Sequence, residues 1–124
     1  MLKMLIRMDE KKITEEKTYK LESVYQTLDR LFAKYGLLRM EDTSGARVYR
    51  DSGNENDFAY FGIVSNILSD QSWFMNNAVE WMFYESDGYL DAPEHFNEEN
   101  FLRNYRQAMR AYHIGKKICE SIEF

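Results

Sequence analysis

The 124 residues include one cysteine, one proline and two histidines. A lone Cys119 cannot close an internal disulfide, and no cysteine pair or Cys/His cluster is present to hold zinc. A reducing, cytoplasmic setting is the expectation. No apolar run approaches the ~18 residues that a membrane span needs. Met1–Met8 is interrupted by Lys3 and Arg7 and lacks a signal-peptide core. The Gly-x-Ser-x-Gly elbow and the glycine motifs that cradle phosphate are missing too. His95 and His113 stand in no triad or metal-ligand spacing, and Cys119 has no activating base near it in sequence. No catalytic residue, metal site or cofactor is therefore expected.

Positive charge is absent over a long stretch: no lysine or arginine lies between Arg50 and Arg103. Residues 51–102 carry eleven acids and so sum to −11, while the rest of the chain sums to +6. The net charge of −5 conceals this separation. An acidic balance disfavours general binding to phosphate backbones. With 44% hydrophobic and 15% aromatic residues, the chain is too apolar for disorder, and its length suits one domain over residues 1–124.

Residues 2–8 alternate, with Leu2, Met4, Ile6 and Met8 on one side, and predict a strand. Residues 9–17 read as a charged connection. From Tyr19 the apolar spacing becomes helical (Leu21, Val24, Tyr25, Leu28, Leu31, Phe32 and Tyr35), with Thr18 as N-cap and Gly36 just past the end. The segments 37–41 and 46–51 flank a polar link ending in Gly45 and predict a hairpin. Residues 58–68 are apolar on most sides and fit either a helix capped by Asn56 or Asp57 or a buried strand. A helix is predicted over Gln71–Tyr84, a polar loop over 85–97, and a helix from an Asn97 cap to Gly115. That last helix would bury Phe101, Leu102, Tyr105, Ala108, Met109 and Tyr112. A short edge strand would follow at Ile118–Phe124. The expected fold class is α+β, a small, mostly antiparallel sheet of about three to four strands packed with about four helices.

The stretch Phe83–Glu94 resembles the second half of an EF-hand calcium loop, with Asp87-Gly88, Leu90 and a twelfth-place Glu94. Its first position, where calcium takes an aspartate, is Phe83, so a turn around Gly88 is preferred. Arg103, Arg106, Arg110 and Lys117 form a basic stripe that would suit phosphate; an ordinary solvated face is the favoured reading.

The acidic middle points toward binding. On the predicted helix 71–84, Phe74, Ala78, Trp81 and Met82 make a core face, and Trp73, Asn76, Asn77, Glu80 and Tyr84 make another. Rigid aromatics beside amides and acids resemble a protein-binding surface. The candidate partner-binding residues are Asp70, Trp73, Asn77, Glu80, Tyr84, Glu85, Asp87 and Asp91. Their negative potential would speed encounter with a basic protein partner. Such partners are mostly nucleases or nucleic-acid-binding proteins, so the expected role is a non-catalytic inhibitor of the immunity or anti-defence kind. The alternative is a small enzyme or ligand-binding domain with a pocket lined by tyrosines, Trp81, Glu80 and Glu94.

Overall fold

The computed structural model describes residues 1–42, 44–87 and 96–120, with side chains through His113. Among these, five strands form one antiparallel sheet in the order β2-β3-β1-β4-β5, accompanied by five helices. The fold class is α+β.

β1 (Leu2–Met8) is the central strand. Its even residues Met4, Ile6 and Met8 are buried, as the alternation requires. The charged connection contains a short helix, α1 (Glu10–Glu16). The Asp9 carboxylate caps it by accepting from the Lys12 amide at 3.1 Å, and Ile13 anchors it in the core. α2 (Leu21–Lys34) buries Val24, Tyr25, Leu28 and Phe32. Its N-cap position is Lys20 rather than Thr18, and no side chain caps it. Gly36 takes φ +74, the left-handed conformation that ends the helix.

β2 (Leu38–Met40) and β3 (Arg47–Arg50) pair antiparallel as a hairpin, and β3 continues onto β1. Residues 57–69 are helical (α3, Asp57–Ser69), which settles the helix–strand ambiguity. Phe61, Val64 and Leu68 form its buried side.

The predicted helix over Gln71–Tyr84 is corrected. Only Ser72–Met75 is helical (α4), and Ala78–Glu85 is a strand, β4, paired with β1 along its length. Val, Trp, Phe and Tyr favour a pleated, half-buried surface, and here that preference prevails. A β-bulge disguises the strand's period. Arg7 pairs with Glu80 and Met8 with Ala78, so Val79 is the extra residue. The bulge places the buried residues at Ala78, Trp81 and Phe83, and the gap of three imitates a helical period.

Among the described residues β5 (Asn97–Asn100) pairs with Met82–Glu85 of β4. Asn97 therefore lies in a strand. Asn100 does the capping instead, its Oδ1 accepting from the Arg103 amide at 3.0 Å. α5 spans Phe101–Glu120 and passes through Gly115 without ending. Residues 118–120 are helical, not an edge strand, and 121–124 lie outside the described residues. The stripe expected to be buried is so only at its start: Leu102 is buried and Phe101 and Tyr105 are half-buried, but Ala108, Met109 and Tyr112 are exposed.

All five helices pack from the side of the sheet that carries Met4, Ile6, Tyr49, Trp81 and Phe83. Phe32 of α2 stacks on Tyr49 at 3.8 Å between centroids. Phe61 of α3 meets Phe83 at 5.3 Å, and Tyr105 of α5 stacks on Trp81 at 5.0 Å. A polar clamp joins α2 to the hairpin: the Tyr49 hydroxyl donates to Asp29 Oδ1 at 2.6 Å, and Arg39 and Arg47 reach the same carboxylate at 3.1 and 3.6 Å.

Candidate protein-binding surface

Because side chains alternate along every strand, the residues between the core positions share the opposite face of the sheet. Register places Lys3, Leu5 and Arg7 of β1 there, beside Met40 of β2, Val48 of β3, Glu80, Met82 and Tyr84 of β4, and Glu98 of β5. No helix among the described residues lies across it. At one end of this face is a cleft of about 290 Å³. Leu5, Met40, Val48, Tyr84 and Phe96 give it an apolar lining, and Glu41, Asp42 and Glu98 supply three carboxylates.

One cation is already held by the aromatics. Lys3 Nζ is 4.6 Å from the Phe96 ring centroid and 5.5 Å from that of Tyr84, and the two rings meet edge-on at 6.1 Å. Burial raises the Tyr84 phenol above its ordinary pKa, and the nearby Glu98 and Glu80 carboxylates push the same way. The Asp42 carboxyl is held below its ordinary value because the Ser44 hydroxyl and amide both donate to it. It stays ionised at neutral pH.

Seven of the eight candidates from the acidic middle are spread over three places. Asp70 caps the end of α3, exposed. Nearby, Trp73 is half-buried, its Nε1 donating to Gln71 Oε1 at 3.2 Å, and Asn77 is buried with its Nδ2 donating to the Trp73 carbonyl at 2.8 Å. Glu80 and Tyr84 lie on the uncovered face, where Glu80 is paired with Arg7 at 3.1 Å. Glu85 and Asp87 are exposed at the far end of β4. The strand rise puts Asn77 and Glu85 roughly 25 Å apart. Asp91 lies outside the described residues, as do Glu94, His95 and most of the stretch that resembles an EF-hand loop.

Several of the eleven acids serve the fold. Asp57 is buried and accepts from the Ser52 amide (2.7 Å), the Asn54 amide (3.0 Å) and the Ser52 hydroxyl (3.1 Å). Asp51 accepts from the Leu2 amide at 3.0 Å and pairs with Arg50 at 3.5 Å. The acids that do line a common cleft include Glu41 and Asp42, which precede the base-free stretch. Sequence reasoning passed over these two, along with Glu98, Phe96 and Lys3. The available signal was the second face of β1, Lys3-Leu5-Arg7, which needs neighbours of its own.

Of the residues named for a pocket, Glu80 and Trp81 both border a second cleft of about 380 Å³, which is lined also by Arg103, Arg106 and Arg110 and by no tyrosine, and Glu94 lies outside the described residues. Trp81 is fully enclosed by Phe74, Phe101 and Tyr105, and Glu80 lies on the opposite face of β4. Among the described residues no three His, Cys, Asp or Glu side chains gather as a metal site, and no helix is long and apolar enough to cross a membrane. Of the basic stripe, Arg106 is partly structural, its Nη2 donating to the carbonyls of Met75 and Ala78 at 3.2 Å each. No protein-family model, curated protein or solved structure matches the chain.

Proposed function

We propose that this chain is a non-catalytic interaction domain whose uncovered sheet face binds, and by covering inhibits, a basic protein that handles nucleic acid, as immunity and anti-defence proteins do. The observation that carries the reading is the convergence of Glu41, Asp42 and Glu98 around an apolar and aromatic cleft. Carboxylates offer the negative charge and acceptor oxygens that a phosphate-binding surface is built to receive. The aromatic faces add cation–π attraction for lysine or arginine and contact area at small entropic cost. Lys3, resting over Phe96 and Tyr84, is an internal example of the group such a cleft accepts.

Partner capture tests this. The wild-type chain and the double variant Asp42→Lys/Glu98→Lys serve as baits at low and high salt. The expected result is a basic nucleic-acid-handling protein retained by the wild type, released by salt and lost from the variant. Equal recovery on both baits refutes the proposal.

A further inference from the structure

α5 has 20 residues, a length of about 30 Å, and among its described side chains the packing and hydrogen bonds to the body come from its first turns, with Gln107 and Arg110 bordering a shallow cleft beside Val79 and Glu80. Phe101, Leu102, Tyr105 and Arg106 fasten it to the body, and from Gln107 to His113 every residue is exposed. Met109 is 43% and Tyr112 68% accessible. A helical segment of this length gains little from its own hydrogen bonds in water and is stabilised chiefly by packing an amphipathic face. The arm is also basic: beyond Arg106 the helix carries Arg110, Lys116 and Lys117 against the single acid Glu120, in a chain whose net charge is −5.

We propose that the arm, the part of α5 beyond Arg106, docks against the acid-rimmed cleft of a second copy of this chain. Two arms cannot pair with each other without setting like charges together, whereas the cleft supplies what the arm lacks. Its Leu5, Met40 and Val48 would meet Met109 and Tyr112, and its Asp42 and Glu98 would meet Arg110. At about 290 Å³ the cleft admits side chains projecting from a helix, while the helix, about 10 Å across, lies over it. Each copy carries one arm and one cleft, so reciprocal docking satisfies both and closes as a two-fold dimer. A foreign basic partner must then displace the arm, which makes self-association a guard on the same face that the proposed function uses.

Sedimentation velocity on the purified full-length chain, over a concentration series at low and high salt, tests this without any foreign partner. The expected species is a dimer that dissociates on dilution and in salt. Met109→Glu/Tyr112→Glu and Asp42→Arg/Glu98→Arg should each weaken it at least tenfold, with circular dichroism confirming that the variants fold. Mixing Arg110→Glu with Asp42→Arg should restore association that each variant alone has lost. A wild-type monomer at every concentration overturns the inference, as does a dimer indifferent to the cleft substitutions. Either outcome leaves the capture experiment with a foreign partner to be judged separately.

Discussion

Asp57→Asn separates the acids that hold the fold from those on the surface. Asp57 is 2% exposed and is the first residue of α3, where a carboxylate also meets the positive end of the helix dipole. It receives two backbone amides and one hydroxyl from the preceding loop. Asparagine keeps one acceptor oxygen but turns the other into an NH₂ that confronts donors. One hydrogen bond to a charged acceptor is worth about 1.5–3 kcal/mol, and a donor left unsatisfied adds about 1–3 kcal/mol. Relaxation of the exposed Ser52 toward water offsets part of this, so a loss of about 2–4 kcal/mol is expected. The surface carboxylates of Asp42 and Glu98 give the contrast. Asp42→Asn and Glu98→Gln should each change stability by less than about 0.5 kcal/mol. Urea unfolding, followed by tryptophan fluorescence with unchanged m-values, measures all three. An Asp57→Asn midpoint equal to that of wild type refutes the structural role assigned to this acid.

Burial and the partners Glu10 and Asp29 raise the phenols of Tyr25 and Tyr49 well above their ordinary pKa of 10.0. A raised folded pKa means that the unfolded chain loses these protons first. The associated stability is whole below pH ~10 and declines as pH climbs past it. In an absorbance titration at 295 nm, these two of the nine tyrosines should ionise only as the fold is lost; all nine ionising near pH 10 with native circular dichroism would contradict this. Gly36→Ala should cost about 1–2 kcal/mol from left-handed backbone strain alone, because nothing lies within 4 Å of the new Cβ; thermal melts decide it. Trp81→Ala should cost about 3–5 kcal/mol, since Trp81 is fully enclosed among aromatic rings. Tyr84→Ala, at the half-buried cleft wall, should weaken binding of the captured partner about tenfold, by calorimetry, while the chain remains folded.

Local signals in the chain explain which parts of this fold were legible. Strict alternation marks β1, the 3.6-residue stripe marks α2, and Gly36 and Gly45 punctuate the hairpin with positive φ. β4 was hidden because the Val79 bulge breaks its two-residue period, and pairing with β1 overrides a plausible helical spacing. The arm of α5 misleads in the opposite sense. Its apolar stripe at Ala108, Met109 and Tyr112 reads as core yet is exposed, since amphipathicity says that a face seeks a partner and not where that partner is. The site was the least legible element. Charge counting finds the base-free stretch, but whether Glu41, Asp42 and Glu98 line one cleft depends on strand order and register. Glu98 sits opposite Tyr84, and Tyr84 opposite Lys3, only once β1, β4 and β5 are paired.

The proposed binding surface is the cleft, rather than acidity in general. It is tested most directly by the association rate of the captured basic partner with two charge-reversed variants across a salt series. One variant reverses Glu41, Asp42 and Glu98 in the cleft; the other reverses Glu85 and Asp87 at the end of β4. Binding through the cleft requires that the wild-type rate fall with salt, that the cleft reversal slow association at least tenfold, and that the strand-end reversal change it by less than about threefold. Equal slowing by both variants, or slowing by the strand-end variant alone, would contradict it.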